Sequence, residues 1–236
     1  YTLLVCAINC GIAPVLYKPA PYTVERDLAP VALVADTPMS IAVSAGSPYQ
    51  TLGALIDAAR QNPRLLSYGS TGAGTVSNLT GELFAHAAGI NLLHVPYRGA
   101  APAITDLMGG TVDMLITSPA SAEPMVAAGK LRILALSHEN SIGLFKGAPT
   151  LKQAGMEGIT ADDWYGLFAP AGTPPERIAY LAQAVGQAMK SPSVIAKINS
   201  GGSQPVGSAP AAFKSRLQQD TTYWADMVKT AGVSLD

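Results

Sequence analysis

Residues 68–84 read Tyr68-Gly-Ser-Thr-Gly-Ala-Gly-Thr-Val-Ser-Asn-Leu-Thr-Gly-Glu-Leu-Phe84. The run Leu65-Leu66-Ser67-Tyr68 predicts a short strand, the small residues after it a loop, and Ser77–Ala88 an amphipathic helix closed by Gly89. Strand, glycine-rich loop and helix in that order are the unit of an α/β domain. The same order aims backbone N–H groups, hydroxyls and a helix N-terminus at one point. Such a point can hold a carboxylate or a phosphate without a charged side chain. A purely structural turn, with Thr75 or Ser77 capping the helix, is the other reading of the same residues.

On either side of this stretch, strand-like and helix-like segments alternate. Thr2–Ala7 and Ala29–Ala35 read as buried strands, and Ser40–Ser44 as a separate one set off by Asp36-Thr37-Pro38. Thr51–Arg60 is a helix with Leu52, Leu55, Ile56 and Ala59 on one face, stopped by Pro63. Leu92–Pro96, Val112–Thr117, Leu131–Ser137 and Asp163–Ala169 follow as strands. Ala100–Met108, Ala120–Ala128 and Pro174–Met189 follow as helices, Ser191-Pro192 begins a short one, and Ser208-Ala209-Pro210 begins the last, which Gly232 ends. The alternation predicts an α/β architecture with mainly parallel sheets.

The chain has 236 residues, 48% of them apolar and 13% charged, with a net charge of -1. That supports a sizeable core and offers no basic patch, which excludes nucleic acid and an anionic membrane surface as main partners. Tyr1–Tyr17 is apolar but interrupted by Asn9, Gly11 and Pro14, so it predicts a buried strand and a turn, not a membrane span. The chain opens at Tyr1 without Met or a basic leader, and is expected to begin inside a domain. Cys6 and Cys10 are expected as two small buried residues. A disulfide between them requires the intervening backbone to leave regular strand geometry.

Gly69–Thr75 has the outer spacing of a phosphate loop without its Lys, and Gly72-Ala73-Gly74-Thr75-Val76-Ser77 lacks the third glycine and the ribose acid of a dinucleotide fingerprint. No metal-ligand spacing appears, and no cofactor is expected. His86, His94 and His138 are scattered, and Asp162-Asp163 reads as a polar turn entering a strand rather than a pair of working carboxylates. An enzyme is therefore not expected. Two further strand ends repeat the first pattern. Pro96 is followed by Tyr97-Arg98-Gly99-Ala100 and a helix, and Thr117-Ser118 by Pro119 and another. Three such ends in succession would sit side by side in one sheet, where ligands of parallel sheets bind.

Taken in order, Tyr22–Val31, Tyr68–Phe84, His94–Asp113, Ala148–Gly155 and Trp164–Pro175 resemble the Bug-type periplasmic solute-binding proteins, the receptors of tripartite tricarboxylate transporters. The resemblance implies a two-lobed, type II, Venus-flytrap periplasmic binding protein, and a first strand, Gly-rich loop and helix ahead of the position of Tyr1. It implies one lobe from residues 1–35 and 159–236, a contiguous lobe from 36–158, and crossover strands near Leu33–Ser44 and Ile159–Phe168. It implies a monomer that captures a small carboxylate and delivers it to the membrane components of the transporter. Ser70, Thr71, Gly72, Ala73, Gly74, Thr75, Ser77 and Asn78 match the family's carboxylate loop. Tyr97, Arg98, Gly99, Ala100, Thr117 and Ser118 would line the same lobe, Asn9 would face them, and Trp164 would lie near the crossover. The alternatives are an α/β enzyme that uses the anion pocket for acyl or phosphoryl transfer, and a fragment that binds nothing.

Overall fold

Strands and helices alternate through the computed structural model, which describes residues 2–17, 19–20, 22–63, 65–138, 145–156, 159 and 161–231. The chain forms two units, one from Tyr1–Asp36, Asp163–Asn199 and Gln204–Asp236, the other from Thr37–Asp162 and Ser200–Ser203. Gly158 and Gly232, expected as the end of a lobe and of a helix, lie outside the described residues.

The first unit carries β1 (Leu4–Ala7), α1 (Asn9–Leu16), α2 (Val24–Asp27), β2 (Leu28–Pro38), β8 (Asp162–Pro170), α7 (Pro175–Ala188), α8 (Pro192–Ser200), β9 (Gln204–Pro205) and α9 (Pro210–Ala231). Its sheet has the order β1-β8-β2-β9, with β1 antiparallel to β8 and β9 antiparallel to β2. Val31, Ala32 and Ala169 pack on Ile178, Ala182 and Val185 of α7. Trp164 and Phe168 meet Phe213 of α9, with ring centroids 5.2 and 5.1 Å apart. Gly166 is required there, because a Cβ would overlap the Phe213 ring.

Four local expectations are corrected in this unit. Residues 2–7 do not form a buried strand: β1 is a short edge strand whose Leu4 and Val5 are exposed. The expected turn after it is helix α1 instead, built around Pro14, which removes the intrahelical partner of the Cys10 carbonyl. The Tyr22 hydroxyl donates to that carbonyl at 2.9 Å. Because the chain turns between β1 and α1, Cys6 and Cys10 lie 6.2 Å apart at Cα and form a disulfide rather than two free buried thiols. Asp36-Thr37-Pro38 does not break a strand either, since β2 runs on to Pro38. Ahead of α9, the Ser208 hydroxyl accepts the Leu33 N–H of β2 at 3.0 Å.

The second unit carries β3 (Ser40–Ser44), α3 (Leu52–Gln61), β4 (Ser67–Ser70), α4 (Val76–Ala88), β5 (Leu93–Pro96), α5 (Ala100–Gly109), β6 (Met114–Thr117), α6 (Pro119–Ala127) and β7 (Leu131–Leu136). The sheet order is β5-β4-β6-β3-β7. The parallel character expected of it holds at β5-β4-β6, while β3 runs antiparallel to both β6 and β7. Helix α3 buries Leu52, Leu55, Ile56 and Ala59, and the Thr51 hydroxyl caps it by accepting the Ala54 N–H at 3.2 Å. Ala103, Ile104 and Leu107 of α5 pack on Val112, Leu115 and Ala42.

Candidate functional site

Strands β5, β4 and β6 are parallel neighbours, and each leads at its carboxyl end into a helix. Ser70 stands opposite Pro96 and Gly69 opposite Leu115, so the connections at Thr71, Tyr97 and Thr117 leave one edge of the sheet together. The Tyr97 N–H donates to the Ser70 carbonyl at 3.1 Å, and the Gly99 N–H to the Thr71 carbonyl at 3.2 Å. These bonds tie the second connection to the first. Gly72 and Gly74 take φ of 147° and 70°, which lets the loop reverse within a few residues.

The loop organises itself largely through its own hydroxyls. The Thr71 N–H donates to Ser77 Oγ at 2.9 Å, and the Gly74 N–H to Asn78 Oδ1 at 2.9 Å. Thr71 Oγ1 and Thr75 Oγ1 each lie 2.8 Å from Ser77 Oγ, and Thr75 Oγ1 donates to the Gly72 carbonyl at 2.7 Å. Thr75 is also the N-cap of α4. Most loop N–H groups are therefore taken internally, which corrects the simpler picture of several free donors. The Ala73 N–H has no acceptor among the described residues, and Ala73 is exposed. Ser77 and Asn78 are buried, while Thr71, Gly72, Gly74 and Thr75 are half-buried.

Beneath the loop lies a second layer that sequence reasoning missed. Tyr68 is fully buried, and its hydroxyl donates to Glu82 Oε1 at 2.5 Å and accepts from Asn78 Nδ2 at 2.8 Å. The His94 ring stacks on Tyr68 with centroids 4.8 Å apart and places Nε2 2.7 Å from Ser70 Oγ. Burial, reinforced by the Glu82 carboxylate, pushes the Tyr68 hydroxyl far above its ordinary range, so it stays protonated. Burial lowers His94, against the opposing pull of Glu82. The available signal was register: His94 is the cross-strand partner of Tyr68, and Asn78 and Glu82 are four apart on α4.

At the flank, the Tyr97 hydroxyl donates to Asp106 Oδ2 at 2.8 Å, and burial together with that carboxylate pushes it up to about 12. Arg98 is exposed, Gly99 opens α5, and Ala100 is its first residue. Thr117 is fully buried, and its Oγ1 has no hydrogen-bond partner among the described residues. Ser118 Oγ lies 3.0 Å from Ser121 Oγ. All of these residues belong to the second unit. Asn9 is the first residue of α1, and Trp164 is a core residue of the first unit whose Nε1 donates to Asp220 at 2.7 Å. Among the described residues no group of three or more His, Cys, Asp or Glu could hold a metal ion. The arrangement suits hydrogen bonding to an anion at the N-terminal end of a 13-residue helix.

The sequence model of the tripartite tricarboxylate transporter family receptor matches residues 1–233. Protein BugT of Bordetella pertussis is 29% identical over 100% of this chain and 73% of its own length. The R. palustris protein Rpa4515, solved with adipate, superimposes with a TM-score of 0.93 at 30% identity, over 99% of this chain and 79% of that one. MatC from Rhodopseudomonas palustris, with bound malate, does so with a TM-score of 0.85 at 27% identity, over 96% and 79%.

Proposed function

The chain belongs to the tripartite tricarboxylate transporter receptor family, which makes it a solute-binding receptor and not an enzyme, and we propose that its solute is a small di- or tricarboxylate held at the loop between β4 and α4. The observation that carries this reading is the cluster of Thr71, Thr75 and Ser77 hydroxyls over the N-terminus of α4, at the carboxyl ends of three parallel strands. A carboxylate oxygen meets the Ala73 N–H and the Thr71 hydroxyl, whose proton turns to it from Ser77 Oγ while Thr75 stays bonded to the Gly72 carbonyl, and the helix dipole favours its charge. Ser77 and Asn78 hold the loop from behind. Tyr97, Arg98, Gly99 and Ala100 flank it, and the Thr117 hydroxyl, unpaired among the described residues, with Ser118 offers a second polar contact.

Adipate and malate, bound by two related proteins, support a solute of that size. Periplasmic placement and delivery of the solute, by a monomer, to the membrane components of the transporter complete the proposal. The family supports both, and the Cys6–Cys10 disulfide fits an oxidising compartment. Among the described residues no helix is long and apolar enough to cross a membrane.

Titration calorimetry against malate, adipate and other small acids tests the reading. Saturable binding by one subset is expected, and Thr71→Ala should weaken it about tenfold, the loss of one charge-assisted hydrogen bond. A folded protein that binds no carboxylate, or a Thr71→Ala variant with unchanged affinity, sinks this assignment.

A further inference from the structure

The layer beneath the loop forms one continuous chain of hydrogen bonds, and its polarity is fixed by the groups at its two ends. Glu82 Oε1 accepts from the Tyr68 hydroxyl, so that hydroxyl must in turn accept from Asn78 Nδ2. This puts the Asn78 amide nitrogen toward the layer and leaves Oδ1 for the Gly74 N–H. The same Nδ2 lies 3.4 Å from His94 Nδ1, which must then be an acceptor without a proton. His94 carries its single proton on Nε2 and donates it to Ser70 Oγ at 2.7 Å. Ser70 Oγ accepts the Gly72 N–H at 3.2 Å and donates to the Gly72 carbonyl at 3.1 Å.

Resting on the carboxylate reading of this loop, we propose that His94 is a positioning residue for solute capture. In its neutral Nε2–H tautomer it fixes Ser70 and Asn78, and through them the loop backbone at Gly72 and Gly74, without itself touching the solute. The charged and titratable groups shown facing it are Glu82 of α4 and Tyr68 of β4, and Tyr68 keeps its proton. A second proton on His94 would set Nδ1–H against the Asn78 amide N–H, two donors face to face. Relief requires the Asn78 amide to turn, which takes Oδ1 from the Gly74 N–H. The binding-competent loop is then populated only in the fraction of molecules whose His94 is neutral. Burial holds that titration below the usual histidine range, so the loop stays competent at neutral pH.

The test follows affinity for adipate and for malate between pH 8 and pH 5 in the wild-type protein and in His94→Gln and His94→Phe variants. Glutamine offers a donor and an acceptor and does not titrate, so the wild-type to H94Q ratio cancels the solute's own protonation. The wild-type protein should lose affinity relative to H94Q as pH falls through this range, approaching tenfold per pH unit once most of His94 is charged. H94F, which retains the ring stack but neither hydrogen bond, should bind more weakly at every pH. Nitrogen-15 spectra of the imidazole in solute-free protein should show the Nε2–H tautomer, a readout that needs neither variant to fold. Superimposed wild-type and H94Q profiles, or an Nδ1–H tautomer, overturn the proposal while the carboxylate reading stands. No binding of either acid to folded wild-type protein overturns that reading and this proposal together.

Discussion

Asp163 is the residue at which local chemistry departs furthest from expectation. The sequence predicts a polar turn there, yet Asp163 is 7% exposed and its carboxyl accepts the Ile8 and Trp164 N–H groups. Burial is the main cause that pushes it up to about 7, the two N–H bonds oppose the shift, and the Asp36 carboxylate adds to it. The native state thus prefers the protonated form. The stability this confers is complete below the ordinary carboxylate range and is lost as pH rises through about 7. Relative to Asp163→Asn, the wild-type protein should lose on the order of 3 kcal/mol between pH 4 and pH 8. Urea unfolding of both proteins across that range measures it, and parallel profiles would contradict the assignment. Hydroxyls behave differently from this acid at the same scale. Thr71, Thr75 and Ser77 were legible as a polar cluster from their spacing, but their mutual bonding was not, because a hydroxyl's partner depends on the turn that Gly72 and Gly74 permit.

At the scale of elements, α4 shows why the loop is where it is. Thr75 caps the helix at one end and Gly89, in left-handed geometry, closes it at the other, as the sequence indicates. Gly81 in its middle carries no such local reason. A Cβ there would overlap the Tyr68 ring, so the missing side chain lets α4 lie directly on β4. Gly81→Ala removes a helix-weakening glycine and should still destabilise the protein by roughly 1–3 kcal/mol, because overpacking outweighs propensity. It should also weaken solute binding, since Tyr68 anchors Asn78. Denaturant midpoints set beside calorimetry check this, and a more stable variant would show that propensity wins. Elsewhere, amphipathic α3 was readable because its apolar period is local. Residues 9–16 were not, because Pro14 and an apolar run mimic a strand and turn until Tyr22 supplies the partner for the Cys10 carbonyl.

Across the whole molecule, the chain passes from the first unit to the second along β2 and back along β8, and visits the second again at Ser200–Ser203. That last visit has no sequence signature. Ser203 Oγ donates to Thr37 Oγ1 at 3.0 Å, and Gly202, with φ of 73°, sits where a Cβ would come within 2.7 Å of Phe145 and 2.9 Å of Pro119. Gly202→Ala should cost about 1–3 kcal/mol from backbone strain and crowding, read as a lowered unfolding midpoint in calorimetry. An unchanged midpoint would mean that the segment contributes nothing to the second unit. The α/β class, the receptor family and the adjacency of three strand ends beside a hydroxyl-rich loop were set by the sequence alone. Apolar period, glycine placement and capping residues act over a few positions and need no distant partner. Tertiary structure decided the antiparallel setting of β3, the Cys6–Cys10 pairing, the burial of Asp163 and the polar layer of Tyr68, Asn78, Glu82 and His94. Each depends on strand register or on burial, and those arise only when residues far apart in the chain are brought together and water is excluded from between them.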